Sequence, residues 1–237
     1  MIKFNYSYLY VCGMHFIYLL LALTLLLSPE EDIISISGSS MDVSHPIDSI
    51  FYNIAKPYKI KIDNEMNEVL AYSKQDLKKG QPESLLGNWT ADVCLEIAQQ
   101  IYEREIDVAM FNNGGLRSSL SKGNVTKGDM FKLMPFENEL VVVDLNKKDF
   151  QLLAEYYKKT GGQPISFSND FNLGDSIFSI LTTDYLANGG DKMIFYKNKE
   201  YTSTNLKMRD ALINYCNQTD TIDSKLDNRN LILNYEF

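Results

Sequence analysis

The sequence predicts an α/β (α+β) fold, a single domain built on one mixed sheet flanked by helices. Three observations carry this. Short apolar runs rich in β-branched residues, "IDVAMF" (106–111), "ELVVVDL" (139–145) and "SIFSILTT" (176–183), have the composition of buried strands. Between them lie stretches with helical periodicity, which do not repeat with strict strand–helix–strand regularity, so the sheet should be mixed rather than all parallel. A chain of 237 residues with 45% apolar content can bury one sizeable core.

In chain order, "PIDSIFYNIAKPYKIKIDNEMNEVLAYS" (46–73) is expected to contain one or two helices, interrupted near Pro57 because proline lacks the N–H that a helix interior requires. "PESLLGNWTADVCLEIAQQIYERE" (82–105) reads as an amphipathic helix running to about Arg104, with Leu95, Ile97 and Ile101 among its apolar positions. "IDVAMF" is then a buried strand that delivers the chain into an Asn-Gly-Gly turn. In "VTKGDMFKLMPF" (125–136), Thr126 and Asp129 stand at capping-box spacing, and Pro135 ends the short helix they open. "ELVVVDL" is a strand. "NKKDFQLLAEYYKK" (146–159) is a helix with Asn146 as N-cap and Phe150, Leu153 and Tyr157 on one face. "SIFSILTTDYLANGGD" (176–191) is a strand running into a second glycine-rich loop, and "NLKMRDALINYC" (205–216) is a last amphipathic helix.

The N-terminus differs in kind. From Asn5 to Ser28 there is no Asp, Glu, Lys or Arg, and "FIYLLLALTLLL" (16–27) is almost wholly apolar. Residues 1–28 are therefore expected to be a signal peptide or an uncleaved membrane anchor, with no clear small-x-small cleavage site before Pro29. The polar, serine-rich residues 29–45 suit a linker, leaving 46–237 as the folded domain. The expected location is outside the cytoplasm, periplasmic or anchored to the membrane.

Composition excludes several chemistries. A net charge of −8 and the absence of a basic patch argue against nucleic acid as a partner. The two histidines, His15 and His45, lie in the apolar run and the linker, so a dinuclear metal centre or a Ser-His-Asp or Cys-His arrangement has no histidine in the domain to use. No phosphate-cradling or dinucleotide-binding glycine motif is present. Cys94 and Cys216, the cysteines beyond the apolar run, permit a disulfide without specifying it, and their helical contexts favour two buried thiols. The sequons at Asn88, Asn124 and Asn217 matter only in a glycosylating secretory pathway.

What remains is a binding constellation. Two strands each end in a glycine-bearing loop, "NNGGLR" (112–117) and "DYLANGGDKM" (184–193), with "LMPFEN" (133–138) between them. Loops at strand ends on one edge of a sheet are where α/β proteins build sites. Phe136 and Tyr185 could sandwich a planar base, Asp191 could accept hydrogen bonds from sugar hydroxyls, and Arg117 could face phosphate or ribose oxygens. Taken singly, Phe136 and Tyr185 are more often core aromatics and Asp191 more often a turn residue, and Asn112 and Asn188 can likewise shape turns; their joint appearance is what points to a site.

These motifs resemble the C-terminal, substrate-recognition domain of the 5′-nucleotidase family. "PESLLGNWTADV" is similar to the family's Leu-Gly-Asn helix opening, "NNGGLR" resembles Asn-Gly-Gly-Gly-Ile-Arg, "GNVTKGDMFKLMPFEN" resembles Gly-x-Ile-Thr…Pro-Phe-Gly-Asn, and "DYLANGGDKM" resembles Asn-Phe-Leu-Ala-Asn-Gly-Gly-Asp-Gly-Phe. The resemblance spans roughly Asn64 to Cys216 and implies a nucleobase sandwiched by Phe136 and Tyr185. It implies contacts from Asn112 and Asp191 to base and ribose, and from Arg117 to ribose or phosphate; Asn188 belongs to the second loop. It also implies no metal in this chain. The two divalent metals and the catalytic Asp-His pair belong to the family's metallophosphatase domain, here expected on a separate partner chain. The pair would hydrolyse 5′-nucleotides or nucleotide sugars; the alternative is a non-catalytic nucleoside-binding module or a degenerate relative. Two departures stand out. Leu85 occupies a position where the family often has arginine, and the stretch between Phe167 and Asp175 is short, with an extra pair of strands expected to be missing.

Overall fold

The computed structural model describes residues 49–234. The expectations for residues 1–28 and 29–45, and both histidines, lie outside the described residues.

Helix α1 (Ser49–Met66) is followed by β1 (Val69–Ser73), α2 (Leu85–Ile101), β2 (Val108–Met110), β3 (Gly123–Thr126) and α3 (Lys127–Leu133). Then come β4 (Glu139–Asn146), α4 (Lys147–Lys159), β5 (Ile165–Phe167), β6 (Ile177–Thr183) and the single-turn α5 (Asp184–Ala187). Strand β7 (Tyr201–Lys207), α6 (Met208–Gln218) and β8 (Thr221–Ile222) complete the elements, with short 3-10 turns around residues 190–196 and 229–234.

The expectation of one sheet is corrected: the described residues form two, both mixed. A five-stranded sheet has the order β5-β2-β6-β4-β7, in which β2 and β6 are parallel and the other pairs antiparallel. A three-stranded sheet has the order β3-β1-β8, with β1 antiparallel to β3 and parallel to β8. Alternation along the strands of the large sheet creates two cores, since successive side chains point to opposite faces. Ala109, Phe111, Leu140, Val142 and Leu181 pack with α2, α3 and α6, whereas Val108, Met110, Val141, Val143 and Leu145 pack with α4. The large sheet is thereby sandwiched between helices.

Local signals hold where they are chemical. Thr126 Oγ1 accepts from Asp129 N at 3.2 Å and Asp129 Oδ2 accepts from Thr126 N at 3.0 Å, a complete capping box opening α3. Asn146 caps α4 by accepting from Asp149 N at 3.0 Å, and Phe150, Leu153 and Tyr157 are buried. Differences arise elsewhere. Pro57 does not interrupt α1, because the helix is exposed along its length and the Asn53 carbonyl deprived of an N–H partner can be solvated. The stretch 46–73 contains one helix, and its last residues, 69–73, are a strand because Val69, Ala71, Tyr72 and Ser73 pair with β3. Helix α2 stops at Ile101, before Arg104, which turns instead to Asp144 at 3.0 Å.

Between β5 and β6 the described chain has no strand; Phe171 folds over it, its ring 4.8 Å from Phe167 and 6.0 Å from Phe178. Cys94 and Cys216 are free and buried in the same core, and burial pushes the Cys216 thiol up to about 12.

Candidate functional site

The cavity at the strand ends is assembled from three segments. Its lining is Asn112, Gly114, Gly115, Arg117, Phe136, Asn138, Tyr185 and Asp191, around a volume of about 340 Å³. Each segment is fixed by its own chemistry.

The first turn follows β2 directly. Phe111 N–H donates to Pro164 O at 2.9 Å, and Gly115 N–H closes the turn onto Asn112 O at 3.1 Å. A Cβ at position 115 would stand 2.8 Å from Asn112 Oδ1, so the Asn112 amide keeps its orientation because residue 115 is glycine. The Arg117 N–H is tied to Leu133 O at 2.8 Å, and its guanidinium donates to Gly114 O at 3.3 Å, with Cζ 6.0 Å from the centre of the Phe136 ring.

Phe136 stands just past α3 and is 42% exposed, so it does not serve as a core aromatic. The backbone under it is held by Arg209, itself only 5% exposed, whose guanidinium donates to Met134 O at 3.2 Å and Phe136 O at 3.4 Å and lies 4.1 Å from the Phe131 ring. Arg209 and Lys207 both donate to Glu137, and these bonds, Arg209 first, hold the Glu137 carboxyl down at about 2. The acidic side chain next to Phe136 is thus neutralised by its partners.

Tyr185 sits in α5, capped by Thr183, and is 48% exposed. Beyond it, Gly189 has φ 88°, Asp191 φ 50° and Lys192 φ 65°, three left-handed residues that turn the Asp191 side chain back into the cavity. Asp191 is clasped from three sides. Asn112 Nδ2 donates to Oδ2 at 2.6 Å, Tyr185 OH donates to Oδ1 at 3.0 Å, and Tyr156 OH, from α4, donates to the Asp191 carbonyl at 3.0 Å. Burial, then the nearby Asp191 charge, raises the Tyr156 phenol. An ionised carboxylate has about four acceptor sites, so Asp191 retains acceptor capacity on both oxygens for further donors.

Of the sequence-predicted residues, Asn112, Arg117, Phe136, Tyr185 and Asp191 converge here. Asn188 does not: it ends α5 and its amide donates to Asp184 O at 2.8 Å. Leu85, the first residue of α2, is not part of this lining and is partly buried against the core. Sequence reasoning missed Asn138, Tyr156 and Arg209. The last two are local helix residues by pattern, and nothing local announces a hydrogen bond to a loop far away in sequence. A wider groove, about 760 Å³, lies beside α2 and β5, but Asp92, Glu96, Glu105 and Asp170 line it and would repel a phosphate. Among the described residues no group of three or more His, Cys, Asp or Glu is placed to hold a metal ion. The cavity offers two exposed rings, an anchored carboxylate, amide groups and a guanidinium, groups able to stack on a planar ring and to exchange hydrogen bonds with polar oxygens.

Comparison with known proteins finds similarity over much of the domain. The model of the family described as 5′-nucleotidase, C-terminal domain, matches residues 61–167. The chain is similar to the trifunctional nucleotide phosphoesterase protein YfkN of Bacillus subtilis (strain 168), 34% identical over 104 residues covering 41% of this chain and 7% of that protein. It is also similar to the apyrase of Tabanus yao, 23% identical over 212 residues, 70% of this chain and 38% of the apyrase. The fold matches that of the 5′-nucleotidase precursor from Thermus thermophilus with a TM-score of 0.63 at 21% identity, covering 77% of this chain and 43% of that one. The chain thus spans less than half the length of these relatives. The glycine-turn motifs, the fold and the family match agree: residues 61–167 match the 5′-nucleotidase C-terminal domain family, and the fold is that of a solved 5′-nucleotidase precursor.

Proposed function

We propose that the domain binds a nucleoside or nucleotide in the cavity formed by residues 112–117, 136–138 and 185–191, as the recognition half of a phosphoesterase. The base stacks between Phe136 and Tyr185. The sugar hydroxyls donate to Asp191, Asn112 contacts base or ribose, and Arg117 meets ribose or phosphate oxygens. Hydrolysis of 5′-nucleotides or nucleotide sugars then takes place on a separate metallophosphatase chain that carries two divalent metals. The observation that carries this reading is the convergence of two half-exposed aromatic rings, the Asp191 carboxylate and the Arg117 guanidinium on one cavity from three separate segments. The chain is exported in this reading, supported by the charge-free run 5–28 and by the description of the similar Thermus protein as a precursor.

The test is calorimetric titration of the purified protein with adenosine and AMP beside a Phe136→Ala variant. Stacking on an aromatic contributes about 1–3 kcal/mol per base, so the variant should bind both ligands at least about fivefold more weakly. Equal affinity in the two proteins would refute the sandwich. With metals added, the protein alone should leave AMP intact and should support hydrolysis once a metallophosphatase chain is supplied. Turnover by the chain alone, surviving removal of contaminants, would overturn the division of labour.

A further inference from the structure

Helix α1 is the feature that the recognition site does not use. Every residue from Ile50 to Glu65 is exposed, and the family match begins only at residue 61. At its C-terminal end Glu65 meets Lys127 at 2.7 Å, and the Asn67 and Glu68 turn leads into β1. Yet the helix is not polar. Phe51, Ile54, Tyr58 and Ile62, spaced by three and four residues, form one stripe and are 71%, 61%, 69% and 56% exposed. Soluble domains rarely leave such a contiguous row uncovered.

The charges around the stripe say what covers it. Residues 49–62 contain Lys56, Lys59 and Lys61 and no acidic residue, in a chain whose net charge is −8. On a helix of 3.6 residues per turn, Lys59 and Lys61 fall on the two borders of the stripe, from which their stems can run along an apolar layer while the ammonium groups stay in water. Asp63, which meets Lys59 at 2.5 Å, falls on the opposite face, and Glu65, the acid nearest the stripe, is taken by Lys127. An acidic protein that concentrates lysines beside an exposed aromatic and aliphatic stripe is complementary to a surface that is apolar beneath and anionic on top. The apolar run 16–27 lies a short way upstream in the same chain.

We propose that α1 is a membrane-surface helix that lies in the headgroup layer of an anionic bilayer, with Phe51, Ile54, Tyr58 and Ile62 facing the acyl chains. It would hold the nucleoside-binding domain against the membrane as a second contact beside the N-terminal run. The proposal is independent of what the cavity binds.

The test uses the full chain reconstituted into vesicles, so that attachment through residues 16–27 is common to all samples. Trp89, the only tryptophan, is 2% exposed in the core and gives a constant background. A Tyr58→Trp variant places a reporter on the stripe at an exposed position. In phosphatidylcholine/phosphatidylglycerol vesicles its emission should shift to the blue and be quenched by brominated lipid. In phosphatidylcholine alone the effect should be much smaller. Each lysine near an anionic surface contributes about a fivefold factor, so adding Lys59→Gln and Lys61→Gln should lower the docked-to-undocked ratio by about twenty-fivefold. The proposal is overturned if the reporter is unquenched in both vesicles. It is equally overturned if quenching ignores lipid charge and the lysines. A blue shift that follows protein density without lipid quenching would mean a second copy covers the stripe, which also overturns it.

Discussion

Two adjacent glycines of the second loop separate the placement of Tyr185 from the general stability of the loop. At Gly190 an added Cβ would lie 2.5 Å from Tyr185 Cε1, 2.6 Å from Cζ and 2.6 Å from the Tyr185 carbonyl oxygen. The carbonyl is backbone and yields little, so the ring must swing away, breaking the 3.0 Å bond from Tyr185 OH to Asp191 Oδ1. Overpacking of this kind costs about 1–3 kcal/mol of stability, which a folded domain can survive. The loss of one stacking face removes about 1–3 kcal/mol of binding, a fall of about fivefold to a hundredfold in adenosine affinity. Gly189, one residue earlier, is the control. An added Cβ there meets nothing within 4 Å, although φ is 88°, so Gly189→Ala should lose about 1 kcal/mol of stability through backbone conformation alone. Urea unfolding and calorimetry on both variants decide the matter. Gly190→Ala should retain a cooperative transition and bind poorly, whereas Gly189→Ala should bind like the parent. If Gly190→Ala binds adenosine with parental affinity, the Tyr185 ring is not part of the site and the sandwich reasoning fails.

Two further outcomes follow from charged groups around the cavity. Replacing Arg117 with alanine removes the guanidinium from the lining while its neighbours keep their backbone bonds; a hydrogen bond to a charged group is worth about 1.5–3 kcal/mol. AMP affinity should therefore fall about tenfold to a hundredfold with adenosine nearly unchanged, and an equal loss for both ligands would move Arg117 from phosphate to ribose. Glu137 supplies a pH signature. Its folded value near 2, set by Arg209 and then Lys207, is below the unfolded carboxyl's value of about 4.3. Its contribution is therefore fully present above about pH 4.3 and is lost as pH falls through about 2. Urea midpoints of the parent and Glu137→Gln should accordingly differ most near neutrality and converge in acid; a gap independent of pH would show that the Arg209 and Lys207 contacts do not stabilise the fold.

How much of this was legible in the sequence depends on where the determining contacts lie along the chain. Capping at Thr126 and Asn146 was legible because donor and acceptor are three residues apart. So were β2, β4 and β6, whose apolar runs carry their burial in their composition. Strand β7 was not: "YTSTNLK" has no apolar alternation and exists as an edge strand because Val141, Val142 and Val143 of β4 pair with it. The second sheet was hidden for the same reason, since β1, β3 and β8 come from distant parts of the chain and acquire strand character from one another. The site divides along this line too. Its glycine turns, Phe136 and Asp191 stood out because paired glycines and a proline before an aromatic are local marks, although of the two turns only the second has left-handed residues, Gly189, Asp191 and Lys192. What fixes them does not stand out: Arg209, beneath Phe136, looks like any polar residue of an amphipathic helix, and Tyr156 like any residue of α4. Motifs therefore name the groups that would touch a ligand, while the long-range bonds that aim those groups appear only in the folded chain. A search for loss of binding should for that reason include Arg209 and Tyr156, neither of which lines the cavity.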